Sequence, residues 1–146
     1  MLDADGRHRG RSGGRASVVG SLVQLAFARG WSTVSLEVDV LQERPDTVIA
    51  ARGEIDLATV RALRDALDGV EEDVPVVIVD LSEVTFLDSS GLRVLAQSQR
   101  RLTGAHGPPR LRLVVAGAAV ERVFDVTGLR SFFDVYATQE DAVRGR

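Results

Sequence analysis

The sequence contains neither cysteine nor lysine, and it has only two histidines, His8 and His106. The absence of cysteine excludes disulfides, thiolate zinc sites and cysteine nucleophiles. Two histidines are too few for a histidine-based metal cluster, and no apolar run reaches the ~18 residues that a membrane-spanning helix needs. We therefore expect a protein without a metal ion or other cofactor and without a membrane-spanning segment.

Acidic residues outnumber basic ones in most of the chain. Residues 1–30 carry five arginines and two aspartates, a net charge of +3. Because the whole chain has a net charge of −3, residues 31–146 carry −6. Proteins that bind nucleic acid need a basic surface for the phosphate backbone. We therefore expect no direct contact with nucleic acid.

The first thirty residues differ from the rest in composition. A Gly- and Arg-rich stretch at residues 10–15 is typical of a flexible chain. The moderately apolar residues 16–28 end in Ala-x-Ala, which is the outline of a secretory signal, although small and polar residues interrupt them. We predict a flexible or poorly ordered extension over residues 1–30 and one cytoplasmic domain over residues 31–146. A signal peptide and a short amphipathic helix that covers the domain stay as alternatives.

Hydrophobic patterning predicts an entry hairpin followed by alternating helices and strands. Residues 34–40 alternate apolar and polar side chains, as a half-buried strand does, and residues 47–53 form a second strand that pairs with it. Three apolar runs predict further strands, the first of them covered on both faces, at residues 76–79, 111–115 and 132–136. Helical spacing marks residues 60–67, 92–102, 118–127 and 139–143, with Gly128 ending the third helix.

This order of elements predicts the fold class. It is β-β-α-β-α-β-α-β-α, in which helices alternate with strands after the hairpin. Such an alternation indicates an α/β sandwich whose mixed sheet is mostly parallel. We expect about five strands and about four helices.

The most informative segment is Asp-Ser-Ser-Gly at residues 88–91, which joins a predicted buried strand to the start of a helix. Aspartate and serine are strong N-capping residues, worth about 1 kcal/mol at such a position, but one cap needs only one residue. Gly91 costs the first helical turn up to ~1 kcal/mol, and we interpret it as clearance for a partner. Two hydroxyls at an exposed helix start favour a site where a phosphate is attached and recognised.

Two enzymatic interpretations lack the residues that they need. A serine nucleophile at Ser89 or Ser90 requires a base and an oxyanion hole. The flanking sequence is not Gly-x-Ser-x-Gly, and the only histidine of the predicted domain, His106, lies in a loop beside two prolines. A nucleotide site of the Gly-x-x-x-x-Gly-Lys-[Ser/Thr] or Gly-x-Gly-x-x-Gly kind is absent too. We therefore expect a protein that is not an enzyme.

Two motifs resemble those of STAS domains, in particular of the bacterial anti-anti-sigma factors, which are antagonists of anti-sigma factors. Leu-Asp-Ser-Ser-Gly-Leu at residues 87–92 resembles the family signature. Gly-Glu-Ile-Asp-Leu-Ala-Thr at residues 53–59 resembles the Gly-Glu-[Leu/Ile]-Asp-x-x-Thr stretch before the first helix, and Asp56 or Thr59 is predicted to cap that helix. Val-Asp-Leu at residues 79–81 and the Phe…Gly-Leu pattern at residues 124–129 match as well. The resemblance covers roughly residues 34–143.

The resemblance implies a partner-switching cycle that regulates sigma-factor-dependent transcription in bacteria. The position phosphorylated in the family corresponds to Ser89. The unphosphorylated protein would bind an anti-sigma factor that is also a serine kinase. That kinase would phosphorylate Ser89 with ATP and release it, and a PPM-type serine phosphatase would restore the hydroxyl. The expected partner-binding residues are Asp56, Thr59, Asp88, Ser89, Ser90, Gly91, Leu92 and Arg93.

The charge of the phosphate explains how such a switch would work. Phosphorylation adds about −1.5 to −2 at pH 7, which a helix N-terminus tolerates within the domain. Asp56 and Asp88 are expected to lie beside it, so the added charge would oppose docking of a partner fitted to a neutral hydroxyl. Arg93 stands where many relatives have a small residue, and it either selects a partner by charge or is a solvated arginine. The alternative function is a non-switching STAS scaffold subunit of a signalling or transporter complex.

Overall fold

The structure is a computed structural model that describes residues 15–17, 36–43, 45–104 and 110–145. Most of the extension expected over residues 1–30 and the whole of residues 31–35 lie outside the described residues, as does the predicted loop at residues 105–109. Within the extension, the structure describes only a short strand. None of the described helices is long and apolar enough to cross a membrane.

The described strands form one mixed sheet in which spatial order follows chain order. The strands are β1 (Arg15–Ser17), β2 (Leu36–Glu43), β3 (Asp46–Ile55), β4 (Val77–Leu87), β5 (Leu111–Val114) and β6 (Asp134–Tyr136). β2 pairs antiparallel with β1 and β3, whereas the pairs β3–β4, β4–β5 and β5–β6 are parallel. The predicted entry hairpin and the mostly parallel sheet are therefore confirmed. β1 was not predicted and adds a sixth strand at one edge.

Four helices and one 3₁₀ turn connect these strands. They are α1 (Val60–Asp68), α2 (Ser89–Thr103), α3 (Ala118–Thr127), a 3₁₀ turn (Leu129–Ser131) and α4 (Gln139–Arg144). α3 has the predicted bounds, and Gly128 ends it with a φ of 73°, a left-handed conformation that glycine adopts without strain. The last strand begins later than predicted, because the Phe132 N–H donates to the Leu129 carbonyl at 2.9 Å and closes the 3₁₀ turn first.

β4 is much longer than its predicted four apolar residues. It continues through polar residues to Leu87, and Leu81, Val84 and Leu87 remain buried along it. Two register shifts in the pairing with β3, between Ala50 and Arg52 and between Gly53 and Glu54, break the simple alternation that a sequence pattern detects. This extension carries β4 to the sheet edge where the candidate site lies.

The core lies on both faces of the sheet. The larger cluster packs α1, α2 and α3 against one face, with Leu63, Leu95 and Phe124 among its fully buried members. The smaller cluster packs α4 through Ala142 against Ile78 and its neighbours on the other face. Burying one leucine or isoleucine side chain stabilises the fold by about 1.5–3 kcal/mol. Because consecutive residues of β4 enter different clusters, the predicted burial of this strand on both faces is confirmed.

Candidate functional site

The two motif segments meet at one edge of the sheet. Ile55 and Leu87, the last residues of β3 and β4, are register partners, and the Asp88 N–H donates to the Ile55 carbonyl at 3.2 Å. The carboxyl ends of parallel strands lie at the same edge. Asp56 and Asp88 therefore follow neighbouring strand ends, and the turns that they begin lead into α1 and α2.

Asp88 is the N-cap of α2. One carboxylate oxygen, Oδ1, accepts hydrogen bonds from the N–H groups of Ser90 at 2.9 Å and Gly91 at 3.3 Å. It also accepts a short hydrogen bond from the Ser90 hydroxyl. Aspartate in an extended conformation at this position satisfies N–H groups that have no partner within the helix. The aspartate of the tetrad is thus the cap that the sequence predicted.

These hydrogen bonds keep Asp88 ionised. Burial is the largest single influence, and it raises the pKa of Asp88; the hydrogen bonds from the Ser90 hydroxyl and from the Gly91 and Ser90 N–H groups lower it and together outweigh burial. The pKa of Asp88 therefore lies below its ordinary value, and the positive end of the helix dipole favours the same ionised form. A fixed negative charge thus stands directly before Ser89.

The two serines of the tetrad are in different situations. The Ser90 side chain is half-buried and its hydroxyl donates to Asp88. Ser89 is exposed, and within the described part of the chain its hydroxyl makes no hydrogen bond. Of the two hydroxyls, only that of Ser89 is both exposed and free to enter another molecule's active site.

Gly91 has a different role from the one predicted. It is buried, and a Cβ at this position would lie 2.7 Å from Ile55 Cγ2 and closer still to Leu87 Cδ1. Real Cβ atoms do not approach other heavy atoms so closely. The clearance therefore serves the packing of α2 against the ends of β3 and β4, and its interpretation as room for a partner is wrong. Leu92 is also buried, at 7% exposure, and packs into the larger core cluster.

The turn between β3 and α1 is closed by its own side chains. Asp56 Oδ1 accepts from the N–H groups of Ala58 at 2.9 Å and Thr59 at 3.0 Å. The Thr59 hydroxyl accepts from the Asp56 N–H at 3.0 Å and donates to the Glu54 carbonyl at 2.7 Å. Thr59 occupies the N-cap position, but its side chain makes no hydrogen bond to the helix. Both predicted capping residues therefore stabilise the turn, and neither caps α1 through its side chain in the usual way.

This closed turn displays Leu57, which the sequence analysis did not assign to the site. Its side chain is 81% exposed, more than any other large apolar residue that the structure describes. The sequence does contain a signal for this residue, since an apolar side chain lies between Asp56 and Thr59. Whether that side chain is exposed, however, depends on the geometry of the turn. On the other side of the site, Arg93 is exposed on the first turns of α2, and it has no ion pair among the described residues.

This edge of the sheet therefore presents two turns that are closed by their own side chains, one with the free hydroxyl of Ser89 and one with the exposed apolar side chain of Leu57. Comparison with known proteins identifies the family to which the chain belongs. The family model described as "STAS domain" matches residues 37–142. The chain belongs to the STAS domain family, as the sequence motifs predicted.

Two relatives with curated names are antagonists of anti-sigma factors. Anti-sigma-F factor antagonist RsfB of Mycobacterium tuberculosis is 33% identical over 112 residues, which are 76% of this chain and 89% of that protein. The anti-sigma-B factor antagonist of Bacillus subtilis is 30% identical over 111 residues, 76% of this chain and 100% of that protein.

Solved structures show the same fold. An anti-sigma factor antagonist from Mycobacterium paratuberculosis superimposes with a TM-score of 0.69 at 34% identity, over 77% of this chain and 95% of that one. The antagonist SpoIIAA in its unphosphorylated form gives 0.57 at 28% identity, over 75% and 97% of the two chains. SpoIIAA in the phosphorylated form gives 0.56 at 26% identity, over 75% and 99%.

Proposed function

We propose that this protein is an anti-sigma factor antagonist that works by partner switching. The unphosphorylated chain binds an anti-sigma factor that is also a serine kinase, and the bound sigma factor is released to direct transcription. The observation that carries the proposal is the exposed Ser89 hydroxyl, which makes no hydrogen bond within the described residues, beside a Ser90 hydroxyl that is engaged. The names of the relatives support the antagonist role. The proposal includes a cytoplasmic location, where transcription takes place.

The switch is phosphorylation of Ser89. The kinase transfers the γ-phosphoryl group of ATP to Ser89 Oγ, ADP leaves, and the hydroxyl proton passes to a base of the kinase. The product carries about −1.5 to −2 additional charge at pH 7. A PPM-type serine phosphatase later hydrolyses the phosphate ester and restores the hydroxyl. The chain itself supplies the position of the hydroxyl and contributes no catalytic group.

The charge around Ser89 explains why its phosphorylation would release the partner. The N–H groups of Ser90 and Gly91 already donate to Asp88, so a phosphate on Ser89 does not obtain them without displacing the cap. The ionised Asp88 adds a like charge beside it. A dianion on Ser89 must also be desolvated when a partner covers this turn together with the neighbouring turn that displays Leu57. The partner therefore loses affinity while the domain keeps its fold.

Similarity to both forms of SpoIIAA supports a switch that leaves the fold in place. The phosphorylated and unphosphorylated forms of that protein resemble this chain almost equally. The buried packing of Gly91 and Leu92 under the cap also argues for a rigid support. A rigid domain with a variable surface charge fits partner switching better than a change of shape does.

A binding and transcription experiment tests the proposal. Each anti-sigma factor of the source organism is purified, bound to its sigma factor, and titrated with the unphosphorylated chain. We expect one anti-sigma factor to bind the chain and release a sigma factor that then initiates transcription in vitro. Binding that is stable in the presence of ATP and that releases no sigma factor would instead favour a fixed scaffold subunit and contradict the proposal.

A further inference from the structure

We propose that Arg93 binds the phosphate once Ser89 is phosphorylated, so that the modification also occupies a cation of the surface that faces the partner; this rests on the proposed function. Ser89 is the first residue of α2, directly after the Asp88 cap, and Arg93 lies four residues later. Both residues are exposed. The phosphorylated chain thus contains an ion pair that the unphosphorylated chain lacks.

The spacing of the two residues brings their side chains together. Residues four apart on an α-helix are neighbours on one face, with about 5–6 Å between their Cβ atoms. An anion four residues before a cation is the more favourable order, because it also agrees with the helix dipole. A phosphate on Ser89 and the guanidinium of Arg93 stand in this order. The extended side chain of an arginine is long enough to span the separation.

Arg93 has no acidic neighbour on its own helix until Ser89 is phosphorylated. α2 contains no aspartate or glutamate. Three and four positions from Arg93, on either side, the helix has Ser89, Ser90, Ala96 and Gln97. Within the described part of the chain, Arg93 makes no ion pair and no side-chain hydrogen bond. All donors of its guanidinium are therefore available, and a guanidinium binds a phosphate through two parallel hydrogen bonds.

The other groups at this edge of the sheet oppose the phosphate or are already engaged. The acids at the ends of β3 and β4 and in the turns that follow are Glu54, Asp56, Glu83 and Asp88. Asp88 also accepts the N–H groups of the two residues after Ser89, which would otherwise be donors to the phosphate. The phosphate therefore needs a cation to offset this charge.

Two other arginines lie near the end of β3 and the start of α1. Arg52 of β3 is held by ion pairs with two acidic side chains of β2, at 3.0 and 3.1 Å. Arg61, in the first turn of α1, is exposed, but no fixed helical spacing relates it to Ser89. Arg93 is therefore the cation that the fold places at a defined separation from the phosphate.

This ion pair changes what the partner meets in two ways. Before phosphorylation, Arg93 is free to contact an acidic group of the partner. After phosphorylation, its guanidinium is occupied by the phosphate, and the surface has gained an anion. Because complementary charge guides association, losing an available cation adds to the effect of the new anion.

The pKa of the phosphate tests the pairing without a kinase or any partner. The full chain is made with phosphoserine incorporated at position 89 during translation, and its phosphorus NMR signal is followed against pH. A nearby cation favours the dianion and lowers the second pKa of phosphoserine, which is ordinarily about 6. We expect Arg93→Ala to raise that pKa by about 0.3, and Arg93→Lys, which keeps the charge, to leave most of the lowering in place.

Arg100→Ala is the matched control. Arg100 is an exposed arginine of the same helix, but it lies about 16 Å along the helix from Ser89. That distance exceeds the Debye length of about 10 Å in 0.1 M salt, so this variant should leave the pKa of the phosphate unchanged. Equal values in Arg93→Ala and Arg100→Ala would overturn the inference. A rise in Arg61→Ala without one in Arg93→Ala would overturn it as well.

Affinity for the anti-sigma factor tests the consequence for docking. In the unphosphorylated chain, we expect Arg93→Ala to weaken binding about threefold, whereas Arg100→Ala binds as the wild type does. Unchanged affinity in Arg93→Ala would contradict the loss of a docking cation. A wild-type chain that binds no anti-sigma factor overturns the proposed function, whereas wild-type binding with an unchanged phosphate pKa in Arg93→Ala overturns this inference alone.

Discussion

The turns that follow β3 and β4 are built on the same plan but present different groups. In both, an aspartate follows a strand end and its Oδ1 accepts backbone N–H groups two and three residues later. In both, a nearby hydroxyl is used inside the turn, that of Thr59 in the first and that of Ser90 in the second. The first turn then displays the apolar Leu57, and the second displays Ser89.

This comparison divides the residues of the site into those that hold the two turns in place and those that are exposed to a partner. Four of the expected partner-binding residues, Asp56, Thr59, Asp88 and Ser90, make hydrogen bonds within their turns, and Gly91 and Leu92 are buried. Leu57, Ser89 and Arg93 are left exposed. We propose that these exposed residues contact the partner, and that the others hold them in place. The following predictions test that division, from the largest expected effect to the smallest.

A negative charge at Ser89 should abolish docking. Ser89→Asp places a carboxylate beside Asp88, and we expect affinity for the anti-sigma factor to fall at least about a hundredfold, because like charge and desolvation oppose the interface. Thermal unfolding should be unchanged. Ser82→Asp is the control, since Ser82 is another exposed serine at a different place on β4. Binding of Ser89→Asp as tight as that of the wild type would contradict the electrostatic switch.

Gly91→Ala should destabilise the packing beneath the site without changing the exposed residues that we propose contact the partner. The new methyl group must displace Leu87 and Ile55, so we expect the free energy of unfolding to fall by about 1–3 kcal/mol in urea titrations. Gly69→Ala is the control, because a Cβ there would lie at an ordinary 3.4 Å from the Asp65 carbonyl oxygen and the φ of Gly69 is −82°. Equal stability of the two variants would mean that Gly91 does not serve the packing of α2.

Sequence patterning predicted most of the fold, because local periodicity is enough to define it. The bounds of α3, its end at Gly128 and the two-sided burial of β4 all follow from residues close together in the chain. The length of β4 was missed, since its register shifts depend on the pairing with β3. The role of Gly91 was misinterpreted because Ile55, the neighbour that needs the space, comes from another strand.

The candidate site was predictable only in part. The motifs located Ser89 and both aspartates, but which serine stays free depends on the geometry of the Asp88 cap. The exposure of Leu57 likewise depends on the hydrogen bonds that close its turn. Hydrogen bonding and exposure of this kind are tertiary properties, which composition and spacing do not encode residue by residue.

Leu57→Ser should weaken docking and leave stability unchanged. Burying a leucine side chain at an interface contributes about 1.5–3 kcal/mol, so we expect affinity for the anti-sigma factor to fall roughly tenfold or more. Val126→Ser is the control, because Val126 is 77% exposed on α3 and lies outside the two turns. If both variants bind as the wild type does, the first turn contributes support alone.

The Asp88 cap should give a small, pH-dependent stabilisation. Asp88→Ala should lower the free energy of unfolding by about 1 kcal/mol at neutral pH. Because the pKa of Asp88 is lower in the folded state, its contribution is fully present above the ordinary value of 3.8 and is lost as pH falls through the folded pKa. The stabilities of wild type and Asp88→Ala should therefore converge at acid pH in urea titrations. A difference that stays constant down to low pH would show that the ionised carboxylate is not responsible.

The central claim is that Ser89 is the residue that is phosphorylated, whereas Ser90 holds the turn in place. Mapping the phosphorylated residue tests this claim most directly. The wild-type chain, Ser89→Ala and Ser90→Ala are each incubated with the anti-sigma kinase that binds the chain and with ATP, and the products are analysed by tandem mass spectrometry. The account predicts phosphate on Ser89 in the wild type and in Ser90→Ala, and none in Ser89→Ala. Phosphate on Ser90 in the wild type, or an undiminished yield in Ser89→Ala, would contradict it.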